Sequence, residues 1–177
     1  KAAEYAGFPP GAVNILCGLG KEAGAALSSH PDVNQIVFTG SVATGSAIAS
    51  AAAKNIVPCT LELGGKSAAI VFDDADIDNL IDSIRWGIFY NAGQVCSAMS
   101  RVIVPQKLHD EISERAGELA KSLSVGPGSE RTKFGLNMGS MISELQRDRA
   151  INLCQKAQTD GATTVTGGHK LNRPGWF

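Results

Sequence analysis

The sequence predicts an α/β protein built on a parallel sheet, and three observations carry that reading. Short β-branched runs at 35–38, 57–63 and 68–72 alternate with alanine-rich or amphipathic stretches. Alternation of this kind joins parallel strands through helices. The first of these runs ends on Thr39-Gly40-Ser41, a glycine turn that opens directly into a helix. The 177 residues are 44% hydrophobic with a net charge of −1, the balance of a globular chain with an ordinary core.

In chain order, Lys1-Ala2-Ala3-Glu4-Tyr5-Ala6 reads as a helix that Gly7-Phe8-Pro9-Pro10-Gly11 ends. Val13-Asn14-Ile15-Leu16 is predicted as a short strand, and Gly18-Leu19-Gly20 as a turn into a helix through Ala23, Ala26 and Leu27. A polar connection at 32–35 leads to the strand 35–38. A helix over 41–54 follows, with Ser41 as its N-cap. After the strands 57–63 and 68–72, Asp73, Asp74 and Asp76 place three carboxylates ahead of a helix over 76–89. The positive end of a helix dipole favours them there, so they read as caps and solvated charge rather than metal ligands. Val102-Ile103-Val104 alternates like a strand. Leu108, Ile112, Ala116 and Leu119 form an apolar helical stripe that Gly126-Pro127-Gly128 interrupts. The last helix, 143–159, has an inner face of Gln146, Ala150, Leu153, Cys154 and Ala157. Gly161 ends it, and 163–166 reads as a strand.

Composition excludes several classes of function. Near-zero net charge gives no electrostatic footprint for nucleic acid or an anionic membrane surface, and no apolar run approaches the ~18–20 residues of a membrane span. The four cysteines, Cys17, Cys59, Cys96 and Cys154, are widely spaced with no CxxC pair. That argues against a zinc site or a disulfide framework and suits a reducing, cytoplasmic setting. Cys17, Cys59 and Cys154 read as core or partly buried, and His30, His109 and His169 as solvated.

Chemistry concentrates in three blocks. Residues 91–101 read NAGQVCSAMSR and put Cys96 among small residues between a helix and a strand. An accessible cysteine there can serve as a nucleophile, although a lone cysteine is more often a small buried hydrophobe. Upstream by 34 residues stands Glu62, in Leu61-Glu62-Leu63-Gly64-Gly65-Lys66. Its leucine neighbours suggest a desolvated carboxylate able to accept a proton near neutrality. Further upstream, Phe38-Thr39-Gly40-Ser41 with Gly45 gives a G-x-x-x-x-G spacing at a strand–turn–helix junction. Free N–H groups and the helix dipole favour a pyrophosphate at such a junction.

Together and in this order, the FTGS, LELGGK and GQxCxxxxR blocks resemble the aldehyde dehydrogenase superfamily, and the resemblance runs from Gly7 to Phe177. It implies a Rossmann-like, dinucleotide-binding part followed by the start of an α/β catalytic domain. Residues 1–65 would be the C-terminal half of the nucleotide-binding domain and 66–177 the beginning of the catalytic one. It implies that Gly40 to Gly45 form the dinucleotide turn, with Ser41 at the pyrophosphate and Thr39 near the nicotinamide. Phe38, Leu63, Gly64 and Gln146 would be further cofactor contacts. Cys96 would be the nucleophile, Glu62 the general base, and Tyr90, Val95 and Ser97 would shape the substrate tunnel. The reaction implied is oxidation of an aldehyde to a carboxylic acid with NAD or NADP. The full-length parent would be a homodimer or homotetramer, with no nucleic-acid or membrane partner. The chain starts without methionine, inside a helix, and stops after a turn, so it reads as an internal fragment that is inactive alone. A Cys–His hydrolase using His109 or His169 leaves Glu62 and the glycine turns unexplained; a non-catalytic binding module leaves Cys96 and Glu62 of the parent enzyme without a role and stays open for the isolated fragment.

Overall fold

Two parallel ladders carry the architecture. The computed structural model describes residues 1–130 and 138–177, which divide into two units, Lys1–Gly64 and Gly65–Phe177. Among the described residues no helix is long and apolar enough to cross a membrane.

The first unit runs through α1 (Ala2–Tyr5), a π-helical turn (Gly20–Gly24) continuous with α2 (Ala25–Ser28), β1 (Ile36–Gly40), α3 (Val42–Ala53) and β2 (Cys59–Leu63). β1 and β2 pair in parallel, with Ile36 opposite Cys59 and Thr39 opposite Glu62. Parallel neighbours need a crossover, and α3 supplies it. Period-two alternation then sorts the side chains. Phe38, Leu61 and Leu63 are half-buried, whereas Val37, Thr39, Thr60 and Glu62 are exposed on the other face. Ser41 caps α3 as expected, its hydroxyl oxygen accepting the N–H of Thr44 at 3.2 Å. Gly45 lets the helix lie close on β2: a Cβ there would come 2.8 Å from Leu63 Cδ2. Ala52, 1% exposed, is the best-buried apolar residue of α3.

In the second unit, β3 (Ala68–Ile70) and β4 (Arg101–Ile103) pair in parallel, joined through α4 (Ile77–Ile88). α5 (His109–Ser122) packs on α4, and α6 (Glu144–Thr159) follows. Ile84, Ile112 and Leu119 form the buried apolar seam of the two packed helices, with Val71 and Ala98 buried nearby in sequence to the strands. The carboxylates before α4 have distinct partners. Asp76 accepts the N–H of Asn79 at 3.1 Å, and Asp73 pairs with Lys107 at 2.7 Å.

Four expectations need correction. Residues 13–16 are not a strand, because no neighbouring backbone pairs with them among the described residues, and Ile15 is left 86% exposed. Residues 163–166 are not a strand either. The β-branched run instead sends Val165 onto α5, where Gly117 leaves room for it: a Cβ at Gly117 would meet Val165 Cγ1 at 2.6 Å. The inner face of α6 is built on Arg147 and Ile151 with Gln146, while Ala150, Leu153, Cys154 and Ala157 are exposed. Arg147 is buried because Glu144 and Asp148 pair with its guanidinium at 2.9 and 2.7 Å. Cys17 and Cys154 are therefore exposed thiols rather than core; Cys59, in β2, is half-buried.

Candidate active site

Cys96 lies on a loop fixed on both sides. α4 ends at Ile88, and a 3₁₀ turn (Tyr90–Gly93) follows. Three successive residues in or beside that turn are left-handed: Asn91 (φ 51°), Ala92 (φ 56°) and Gly93 (φ 73°). Asn and Gly tolerate this region, but at Ala92 the Cβ opposes it at a cost of about 1–2 kcal/mol. The turn is closed by its own polar groups. Asn91 Nδ2 donates to Gln94 O at 3.1 Å, and Gln94 Nε2 donates back to Asn91 O at 3.1 Å. Beyond the cysteine, Ala98 N–H donates to Val95 O at 3.1 Å, and Met99 N–H donates to Gly87 O at 2.8 Å. Ala98, 7% exposed, anchors the loop in the core. Met99 also covers Gly87, where a Cβ would sit 3.0 Å from Met99 Cβ. Cys96 and Ser97 are exposed on this loop, Val95 is half-buried, and Tyr90 is exposed at its start.

Gly65, the second glycine of the second block, reaches the same loop. A Cβ at Gly65 would lie 3.8 Å from the carbonyl oxygen of Cys96. Arg101, which closes the GQxCxxxxR block, donates from Nε to Lys66 O at 2.9 Å and from its backbone N–H to Ser67 O at 3.2 Å. One arginine therefore joins the two motifs.

Glu62 stands in β2 directly beside Thr39 of β1, both on the exposed face of the first sheet. The desolvation expected from its leucine neighbours is absent. Leu61 and Leu63 point to the opposite face, as a strand's alternation requires, and Glu62 is exposed. Gly40 lies at the end of β1, where the Phe38 ring occupies the space a side chain would need: a Cβ would meet Phe38 Cζ at 2.5 Å. Leu63 is half-buried and Gly64 exposed. Gln146 belongs to the second unit, half-buried in the first turn of α6, its N–H donating to Ser143 Oγ at 3.3 Å.

Beside the glycine turn lies a cavity of about 1070 Å³, between the α2 segment and α3, whose lining includes Leu19, Lys21, Ser28, Phe38, Ala47 and Ile48. Apart from Phe38, and Leu19 as a turn residue, the sequence reading did not single these residues out. The signal was two facing glycine- and alanine-rich stretches, because helices faced with small side chains leave room between them. Asn91 and Gln94 were also overlooked as individuals. The histidines are engaged elsewhere: His109 Nδ1 contacts Asp110 Oδ1 at 2.8 Å and His169 Nδ1 contacts Gly167 O at 3.1 Å.

A profile described as the aldehyde dehydrogenase family matches residues 1–177. The chain belongs to the aldehyde dehydrogenase family. Among this family's curated members, an aldehyde dehydrogenase of Emericella nidulans is 45% identical over 178 residues, covering 100% of the chain and 35% of the relative. The chloroplastic betaine aldehyde dehydrogenase of Beta vulgaris is 42% identical over 164 residues, 93% of the chain and 32% of the relative. Among solved structures, the NAD+ complex of an aldehyde dehydrogenase from Bacillus cereus superposes with a TM-score of 0.92 at 40% identity, over 98% of the chain and 35% of that structure. The chain thus spans about a third of the length of the aldehyde dehydrogenases it matches.

Proposed function

We propose that the full-length gene product oxidises an aldehyde to a carboxylic acid with NAD+ or NADP+, Cys96 acting as nucleophile and Glu62 as general base. The observation that carries this reading is an exposed Cys96 thiol on a loop hydrogen-bonded to α4, in a chain matched end to end by the family. The first unit would be the second half of the nucleotide-binding domain, and the second unit the start of the catalytic domain.

The residues present fit a dinucleotide. The first turn of α3 has N–H groups without intrahelical acceptors at Val42 and Ala43, suited to a pyrophosphate. The roomy cavity beside it, walled by Phe38, Ala47 and Ile48, suits a flat base. Phe38, Thr39, Gly40, Ser41, Gly45, Leu63 and Gly64 would hold the cofactor, and Gln146 would add a contact from α6. NAD+ or NADP+, when bound, accepts a hydride from the substrate carbon.

The thiolate of Cys96 attacks the aldehyde carbonyl, forming a C–S bond and placing the negative charge on oxygen. The backbone N–H of Cys96 donates to that oxyanion. Loss of hydride re-forms the carbonyl and leaves a thioester on Cys96. Glu62 then takes a proton from water, whose oxygen attacks the thioester; the C–S bond breaks, releasing the carboxylic acid and restoring the thiolate. Splitting the oxidation into acylation and deacylation replaces one hard step by two easier ones. Tyr90, Val95 and Ser97, on the loop that carries Cys96, would line the aldehyde's approach. The relatives' names differ in the aldehyde, so the substrate class is proposed no more finely than that.

The test is a burst experiment on the full-length gene product. Mixing with an aldehyde panel and either nucleotide should release NADH or NADPH, and iodoacetamide labelling of Cys96 should respond to the nucleotide. No reduced nucleotide with any aldehyde would overturn the reading.

A further inference from the structure

We propose that Gln94 is a positioning residue for Cys96, an inference that rests on the reading of Cys96 as the nucleophile. Its side-chain amide uses both ends. Nε2 donates to Asn91 O at 3.1 Å, the same oxygen that accepts the backbone N–H of Gln94 at 3.1 Å. Oε1 accepts the N–H of Ile142 at 2.9 Å, across 48 residues of sequence. The neighbouring Met141 N–H is bound to Trp176 O at 2.9 Å, so the segment that Gln94 grips is itself held. These groups surround a recess of about 530 Å³ lined by Asn91, Gln94, Ser140, Met141, Ile142 and Trp176.

The left-handed run at Asn91, Ala92 and Gly93 is opposed by the Cβ of Ala92, and Gln94 stands immediately after it. An amide of this length can give a proton to Asn91 O and receive one from Ile142 N at once. An ionised carboxylate has no proton to give and would face the Asn91 oxygen charge to dipole; a thioether does neither. With the clip lost, the run relaxes toward right-handed backbone and carries Val95 and Cys96 with it. A displacement of about 1 Å at a reacting atom costs on the order of 10²-fold in rate.

The experiment uses the full-length gene product as wild type, Gln94→Met, Gln94→Glu, the double variant Gln94→Met with Ala92→Gly, and Cys96→Ser as the control for the nucleophile. Reduced-nucleotide release in a single turnover reads acylation, iodoacetamide alkylation of Cys96 reads thiol placement without aldehyde chemistry, and nucleotide affinity reads folding of the cofactor site. Both single variants should slow acylation by about 10- to 100-fold with nucleotide affinity nearly unchanged. Adding Ala92→Gly should recover most of the loss, since glycine takes the left-handed region without the Cβ penalty. If Gln94→Met fails to fold, the isosteric Gln94→Glu supplies the same reading. Unchanged acylation in the single variants, or a loss that Ala92→Gly does not recover, overturns the proposal. A wild-type burst that persists in Cys96→Ser refutes the nucleophile assignment instead; the alkylation rates then decide the positioning role, and unchanged rates overturn it.

Discussion

At Cys96 the proposed chemistry depends on a single sulfur, and replacing it separates chemistry from binding. Cys96→Ser in the full-length gene product should nearly abolish reduced-nucleotide formation, because a hydroxyl supplies little anion at neutral pH. Nucleotide affinity, measured by fluorescence titration, should persist; retained turnover would move the nucleophile to another thiol, Cys17 or Cys59. Glu62→Gln should leave the first equivalent of reduced nucleotide intact while lowering steady-state turnover by about 10²–10⁴-fold. Intact-mass spectrometry should then find an acyl adduct on Cys96, and unaltered turnover without adduct would remove Glu62 from the mechanism. The accessibility of Cys96 was legible in its small neighbours and its place between helix and strand. The environment of Glu62 was misjudged from adjacency in sequence: in a strand, residues next in sequence face opposite sides, so its leucines shield α3 and not the carboxylate.

Gly45 sets how closely α3 lies on β2. Gly45→Ala would place a methyl group 2.8 Å from Leu63 Cδ2, tighter than packed carbons allow. Leu63 must turn its terminal methyl aside, which puts the cost at the low end of the about 1–3 kcal/mol of overpacking, and the change should lower the melting temperature and weaken nucleotide binding together. Ile56, at φ 56° just past the end of α3, is the opposite case: a β-branched residue held left-handed and 90% exposed. Ile56→Gly should raise stability by about 1 kcal/mol in a denaturant titration, since glycine removes the backbone strain and little packing is lost. The elements themselves were largely readable. Ser41 and Asp76 marked the starts of α3 and α4, and the stripe at Ile112 and Leu119 marked the buried face of α5. The strands expected at 13–16 and 163–166 had the right composition. A strand, however, exists only beside a partner, and a partner at long sequence distance leaves no local signal. The face of α6 was misread for a related reason: its most buried residue is an arginine, hidden by two ion pairs that a hydrophobic pattern does not reveal.

Taken as a whole, the 177-residue chain leaves much apolar surface in water. Tyr5, Ile15, Phe72, Ile142 and Leu145 are each more than two-thirds exposed, and among the described residues both ladders have open edges. The chain by itself should bind an environment-sensitive hydrophobic dye, self-associate in sedimentation, and give no turnover with aldehyde and nucleotide. A monodisperse, dye-silent and active chain would contradict that expectation. One bond described above also makes the Cys96 loop observable without any substrate. The amide proton of Met99 is held by Gly87 O, so it can exchange with deuterium only when the loop lifts from the end of α4. The exchange rate at this one amide is a clock for loop opening, and its ratio to the rates of the buried α5 amides tells whether the loop opens alone or only as the unit unfolds.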